Sequence, residues 1–590
     1  MRIMTFPLLI HREETKPVTL KNCSVVIDGQ NYLHNVYEDS KIPFIFGCEA
    51  DKYARYLRNR FKMFKQANVK CYIVLKGGDM NIEKKIKKFQ HLTVSVESDI
   101  EFVPPILIKD VITQVLDEMH MDYAVCVAES KDDCVALAQR LNCPVISFDI
   151  EYCFKKALYV PSLSLKSNGG TNSIQCNQYK LQDFLRNHSL TEEKVALFGA
   201  LCDINLFPSN SFDSLFQTWG VLNVNLYIQN KNLIKWLSEN SEEKARKDIS
   251  KALSSDDDRN KFWEYYDNVL TNMRKDEPGC ATNLLFDSKL TIVRQDPKWF
   301  EKGVAAKHIS PLYVNLCKWK VIDGSRDVED KNSRDSLLLS ADIIKYAYNL
   351  LTNYKKDKIK MYQDADNFTE IDTEDSNIRK PSYNCKVSVF ENGWSIVKRL
   401  KLFEHFLSEN KISTEVLGNV PVEATALFVA LVYFARKKEL ESVDVWKEVY
   451  AILLSYVMLN VVFDKEDSYK KKTYNINQED CKKAESVTAM YFKCDTNEAR
   501  RIFDGKALKR LVEFQYCMQH INYLNILCGS PYKPTRYHRT YNGTFVFKIF
   551  SDMRDKDKDV FINELFLVAP SVLAFIKELI NVYRQLLTTE

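Results

Sequence analysis

The chain has 590 residues, 45% of them hydrophobic and 27% charged, a balance that excludes wholesale disorder and calls for two or more hydrophobic cores. A formal net charge of +4 on this length is close to neutral, so nucleic-acid contact must come from local basic patches and not from the overall field. The sixteen cysteines include no CxxC pair, which argues against a zinc ribbon or finger and suits buried thiols in a reducing compartment.

The opening MRIMTFPLLIHREE has a short apolar run but no convincing cleavage site, so a signal peptide is not expected. Residues 1–205 then alternate β-branched runs with longer amphipathic segments. The runs are NCSVVID ending at Asp28, CYIVL ending at Leu75, YAVCVA ending at Ala128 and CPVISF ending at Phe148. Between them the spacing predicts helices over Glu49–Gln66, Pro105–Met119 and Lys131–Leu141. Strands apolar throughout, separated by helices, predict an α/β fold with a parallel sheet covered on both faces.

From about residue 206 the pattern turns helical. Ser241–Leu253, Arg259–Met273, Ile343–Tyr354, Trp394–Glu409, Val422–Lys438, Val443–Val462 and Ala499–Ile526 have helical spacing. The acid-rich stretch 357–382 reads as a linker, and Phe463–Asp480 is similarly charged. The expected divisions are therefore an α/β domain over 1–205, a helical extension over 206–356, an acidic linker over 357–382 and a helical C-terminal domain over 383–590. The longest apolar stretches, Ala424–Ala435 and Val449–Phe463, fall short of the roughly 18–20 residues that cross a bilayer. They predict buried helices and no membrane partner.

In an open parallel sheet, ligands bind outside the carboxyl ends of the strands. Those ends here carry Asp28, Lys76, Glu129 and Asp149, with Glu151 two residues further and Asp203 after the helical segment Glu192–Leu201. Clustered carboxylates suit Mg²⁺ or Mn²⁺. An acid after a strand also serves as a turn residue or helix cap, so each position alone carries either reading.

Taken in order and spacing, VVIDGQNYLH, CYIVLKGGD, AESKDDCVALAQRLNCPVISFDIEY and ALFGALCD resemble the asteroid branch of the flap endonuclease/XPG superfamily. LAQRLNCPVISFD is the most specific of these. HISPLYVNL near residue 308 and SPYKPTRYHRTYNGTFVF near residue 530 resemble asteroid C-terminal elements. The resemblance implies a PIN-like parallel sheet, with the XPG N-terminal part over about 1–90 and the internal part over about 105–205, followed by a mostly helical C-terminal region. It also implies phosphodiester hydrolysis on DNA with flap, overhang or single-stranded character, using two divalent metals, and residence in the nucleus or else the cytoplasm. Asp28 and Glu129 would belong to the first metal; Asp149, Glu151 and Asp203 would belong to the second.

The chain departs from that pattern in two places. Lys76 and Lys131 stand where the family has acids. An ammonium offers a metal no lone pair, and unit charges about 4 Å apart interact by roughly 4 kcal/mol at an effective dielectric near 20. The lysines are therefore expected to act as built-in cations, neutralising Asp28 and Glu129 in a catalytically weak or dead pocket. Asp79, Asp132 and Asp133 are the nearby acids that could substitute as ligands, Asp132 pointing about 100° away on its helix. The start MRIMTFPLLI also lacks the family's M-G-x-x-G-L opening, which bears on gripping a DNA end.

Two weaker signals concern nucleic acid. Lys84, Lys85, Lys87 and Lys88 suit phosphate neutralisation or else form a solvated helix face. PYKPTRYHRTYNG interleaves Lys533, Arg536, His538 and Arg539 with Tyr532, Tyr537 and Tyr541, suiting either phosphate contact with base stacking or the packing of a helix end. Two functions follow as expectations: a metal-dependent, structure-selective DNA endonuclease, or a pseudonuclease scaffold that binds nucleic acid or protein in signalling or development.

Overall fold

Five apolar runs share one sheet because their side chains must be covered on both faces. The computed structural model describes residues 5–79, 81–86, 92–94, 102–168, 170, 172–203, 212–219, 225–253, 255–274, 285, 297–324, 326–328, 335–362, 366–374, 378, 390, 395–441, 444–464 and 473–588. It divides into two compact units that interleave in sequence.

The first unit takes Met1–Asn35, Asn59–Lys76 and Met121–Ile292. Its centre is a parallel sheet of β1 (Ser24–Asp28), β2 (Lys70–Leu75), β3 (Asp122–Val125), β4 (Val145–Ser147) and β5 (Tyr159–Pro161), in the order β3-β2-β1-β4-β5. Val25, Val26, Ile27, Ile73, Val74, Val145 and Ile146 are fully buried, as expected of strands covered on both faces. The register pairs Asp28 with Val74 and Leu75 with Val125, so the strands end along one edge. Helix α1 (Gly29–Asp39) leaves directly from β1. A Cβ on Gly29 would lie 2.5 Å from Leu75 Cδ2 and 2.9 Å from Ile73 Cγ2; only glycine fits that approach. Helix α2 (Lys131–Leu141) stops at Asn142, whose left-handed φ of 48° turns the chain into β4. Helices α3 (Glu192–Cys202) and α4 (Asp256–Arg274) extend the same core, which runs from Phe6 to Met273.

The second unit takes Val36–Arg58, Gly77–His120 and Val293–Glu590. It is mainly helical. Helix Thr425–Glu439 is buried continuously from Thr425 to Ala435, and helix Trp446–Val457 from Glu448 to Val457. Among the described residues no helix is long and apolar enough to cross a membrane.

Several expectations need correction. The division into units differs from a contiguous 1–205 domain. Phe212, Phe262 and Met273 bury in the first core, while the helix Ile108–Glu118 is tied into the second unit through Asp110, Gln519 and Tyr523. Strand β3 ends at Val125, not Ala128, so Glu129 sits beyond a bend and not at a strand end. The acidic stretch 357–382 is no simple linker: Lys358–Tyr362 and Phe368–Asp372 form an antiparallel hairpin that joins Val321–Asp323. Alternation explains it, since Ile359 and Met361 are fully buried while Lys358 pairs with Glu370 at 3.3 Å on the other face. The helix expected over Ala499–Ile526 is two, Thr496–Ile502 and Gly505–Leu527. Asp504 breaks it by capping the second, accepting from Ala507 N at 3.1 Å.

Candidate functional site

Asp28 ends β1 with 1% of its surface exposed. Its Oδ2 accepts from Asn31 Nδ2 at 3.0 Å, Ser147 Oγ at 3.0 Å and Tyr152 OH at 3.1 Å, while the buried Oδ1 has no hydrogen-bond partner. Burial pushes its carboxyl above the ordinary value, against the pull of those donors. Asn31 sits on the first turn of α1, three residues on. Its amide also reaches Asp149 Oδ2, at 3.3 Å, and so links two of the expected acids.

Asp149 leaves β4 and caps the 3₁₀ turn Ile150–Phe154, its Oδ1 accepting from Glu151 N at 2.9 Å. That turn brings Glu151 to the same side as Lys131, the first residue of α2. Lys131 Nζ lies 2.5 Å from Asp149 Oδ2 and 2.5 Å from Glu151 Oε2. Burial opposes the lysine's charge, but the two carboxylates outweigh it and hold the ammonium above its ordinary pKa. Burial likewise works to raise Glu151, and Lys131 overrides it, keeping that carboxyl below its usual range. Asp203, at the end of α3, accepts from the Tyr265 hydroxyl of α4. Burial and then this bond push the Tyr265 phenol up, and the charge of Glu151 adds to the effect, so Tyr265 lies within electrostatic reach of Glu151. Lys76 Nζ pairs with Glu129 Oε1 at 2.8 Å, with 26% and 48% of the side chains exposed.

The edge therefore links Asp28, Asp149 and Glu151 through Asn31 and Lys131, with Asp203 adjoining and Glu129 held by Lys76. The pairing differs from the expected one in a definite way. Lys131 neutralises the acids of the second-metal side, and the Asp28 Oδ2 is held by neutral donors. The cause is local: Asp28 is enclosed by Asn31, Ser147 and Tyr152, whereas Asp149 and Glu151 stay partly open to a side chain arriving from α2. The possible substitutes are engaged as well. Asp79 Oδ2 accepts from Asn315 Nδ2 at 2.7 Å, Asp132 pairs with Lys155 at 2.8 Å, and Asp133 Oδ2 accepts from the Cys126 thiol at 3.4 Å.

Two divalent ions do not fit these residues as they stand. A metal taken up by Asp149 and Glu151 would have to displace an ammonium already in contact with both, and two like charges at that range repel by several kcal/mol, on the order of 4 at 4 Å in an effective dielectric of 20. Among the described residues, no group of three or more His, Cys, Asp or Glu side chains is disposed to hold a metal ion.

Asn31, Ser147, Tyr152 and Tyr265 belong to this edge and were not singled out from the sequence. Asn31 carried a usable signal, three residues after Asp28 on a helix; Tyr265 lies 62 residues from Asp203 and carried none.

The basic segments resolve differently. Lys84 and Lys85 fall in the helix Ile82–Ile86, but their side chains, and all of Lys87 and Lys88, lie outside the described residues. In PYKPTRYHRTYNG, Tyr537 and Tyr541 offer no stacking face, because they are buried and bonded to Asn522 and Gln515 at 2.8 and 3.1 Å, while Tyr532 is half-buried. Arg536 pairs with Glu118 at 3.4 Å and Arg539 with Asp464 at 2.9 Å.

Residues 425–590 match the family model described as the asteroid N-terminal domain. The single-strand DNA endonuclease ASTE1 of Homo sapiens is 28% identical over 203 residues, 31% of this chain and 30% of that protein. Protein asteroid of Drosophila melanogaster is 26% identical over 160 residues, 25% of this chain and 18% of its own length. The match thus spans less than a third of these relatives. Among solved structures, the catalytic core of Rad2 with DNA substrate overlaps 47% of this chain and 89% of its own at 12% identity and a TM-score of 0.29. Human GEN1 with Holliday junction DNA overlaps 53% and 75% at 12% identity and a TM-score of 0.31. The fold assignment rests on the parallel sheet, its flanking helices and the helical region that follows.

Proposed function

We propose that this chain, which matches the asteroid N-terminal domain over residues 425–590 and carries a parallel sheet flanked by helices, has a nuclease architecture and binds DNA of single-stranded or flap character while being weak or inactive in metal-dependent hydrolysis. One observation carries the reading: the Lys131 ammonium lies between Asp149 and Glu151, 2.5 Å from each, where a metal-dependent nuclease needs those carboxylates free. The DNA preference is drawn from the name of the ASTE1 relative, a single-strand DNA endonuclease. Nuclear residence follows from that substrate and is part of the same proposal.

The active alternative has one observation in its favour. Asp28 Oδ1 accepts no hydrogen bond, and Asp149, Glu151 and Asp203 remain at one edge if Lys131 swings aside. One experiment separates the two: purified protein with Mg²⁺ or Mn²⁺ on labelled flap, overhang and single-stranded DNAs, beside an Asp149→Ala control. The expected result is no metal-dependent product from the wild type, and product gained in Lys76→Asp/Lys131→Asp. Wild-type cleavage that Asp149→Ala abolishes overturns the reading.

A further inference from the structure

The second unit holds a charge cluster that the sheet edge does not explain. Glu118, at the end of the helix Ile108–Glu118, faces three basic side chains. Arg58 Nη2 lies 2.6 Å from its Oε2, His538 Nε2 lies 2.9 Å from Oε1, and Arg536 Nη1 lies 3.4 Å from Oε1. Burial holds the His538 imidazole below its ordinary pKa, and Arg58 and Arg539 add to that against the pull of Glu118. The histidine is therefore the neutral member, and it lies close enough to feel both arginines. Arg539 is satisfied by Asp464. Arg55, exposed and three residues before Arg58, sits on the same helix face and makes no ion pair among the described residues.

Arg58, Arg536 and Arg539 thus share two carboxylates, Glu118 and Asp464, and Arg55 pairs with neither. Arg536 is 57% exposed and makes a single long contact, which leaves most of its five N–H donors to solvent. A guanidinium fork with spare donors, with the Arg55 guanidinium one helical turn from Arg58, matches the oxygens of a phosphate. Tyr537, between Arg536 and Arg539, is buried, so this stretch offers charge without a tyrosine face for bases to stack on. That combination suits a sugar–phosphate backbone read without regard to sequence.

We propose that Arg55, Arg58, Arg536 and Arg539 form a phosphate-binding surface for the backbone of a single-stranded polynucleotide. The assignment rests on the reading of this protein as a binder of DNA with single-stranded character and supplies the surface that reading lacks.

The test uses the full chain and a labelled single-stranded oligonucleotide, followed by fluorescence anisotropy with EDTA present so that cleavage cannot interfere. Arg55→Ala/Arg536→Ala is expected to weaken binding about tenfold at moderate salt and to lower the slope of log affinity against log salt by about 1.4, two contacts at about 0.7 each. Arg536→Lys is expected to keep most of the slope. Arg584→Ala, which removes an exposed arginine paired with Asp559, is expected to change neither. Both truncations spare the Arg58–Glu118 pair, so the melting temperature should hold and the comparison stays between folded proteins.

Wild-type binding that the double variant retains in full, with an unchanged slope, overturns this surface and leaves the DNA reading standing. No wild-type binding removes both. A parallel thermal-shift titration with inorganic phosphate separates the sources: stabilisation by phosphate alone, with nothing added by the oligonucleotide, identifies a free-anion site and overturns the polynucleotide assignment.

Discussion

The sheet edge of the first unit and the buried and half-buried acids of the second face the same physical problem with different counter-groups. At the edge, Asp149 and Glu151 are balanced by the Lys131 ammonium at 2.5 Å. In the second unit, Glu49 and Asp51 are bridged by a neutral amide, Asn542 Nδ2 lying 2.7 Å from Glu49 Oε2 and 2.7 Å from Asp51 Oδ1. Thr544 N adds a bond to Glu49 Oε1 at 2.8 Å, and Lys52 Nζ contributes one charge at 2.8 Å. Asp110 accepts from neutral donors, Gln519 Nε2 at 2.7 Å and Tyr523 OH at 2.8 Å. A fixed cation holds a carboxylate ionised. Neutral donors leave burial to win, with the like charge of Glu49 adding at Asp51, so Asp51 and Asp110 are both pushed up, Asp110 to about 6.

The sharpest way to break this comparison is to remove the neutral bridge. Asn542→Ala removes a donor shared by the buried Glu49, which keeps Thr544 N and Lys52, and the half-buried Asp51, and it also deletes the cap on Phe545 N, accepted at 2.9 Å. A loss of about 4 kcal/mol is expected, read as a lower urea midpoint. A loss under about 1 kcal/mol would mean that Lys52 alone carries the pair.

Acid titration should then separate the units. Asp110 has a folded value of about 6 against an ordinary 3.8. Its burial costs stability that is fully felt above pH 6 and is relieved as pH falls toward 3.8, on the order of 3 kcal/mol. Glu151 is held below its ordinary 4.5. Its contribution is present above that value and is lost as pH falls through it and onward toward the lower folded value. Lowering pH from 7 to 5 should therefore slow hydrogen exchange in the helix Ile108–Glu118. A further drop below 4.5 should speed exchange around Ile150–Phe154. Parallel behaviour in both places would refute the distinction.

Lys131→Met addresses the cation directly. The side chain is 30% exposed, so a modest loss of about 1–2 kcal/mol is expected. The more telling readout is a Mg²⁺-dependent rise in melting temperature that the wild type lacks. Lys76→Ala should matter least, below about 1 kcal/mol, since its partner Glu129 is 48% exposed.

Much of the first unit could be read from the chain alone. Val25–Asp28, Lys70–Leu75 and Val145–Ser147 are continuous apolar runs, and such runs have little choice but to lie side by side in a covered sheet. Helix Lys131–Leu141 was bounded correctly because Asn142 ends it with a left-handed residue. Partner choice was not legible. Whether Lys131 met Asp28 or Asp149 depended on how a 3₁₀ turn twenty residues later aimed its acids. Asn31 went unnoticed because attention to charged groups passes over an amide, although it joins Asp28 to Asp149. Asn542 and Glu49 are 493 residues apart, and no local pattern foretells such a pairing. The hairpin Lys358–Asp372 was obscured by its acids, which its alternating Ile359 and Met361 outweigh.

A counter-ion that is covalently part of the polypeptide cannot be diluted or chelated away. Because Lys131 supplies that charge, the edge carries the same electrostatic balance in metal-poor and metal-rich surroundings. Stripping divalent ions should leave its conformation where it was.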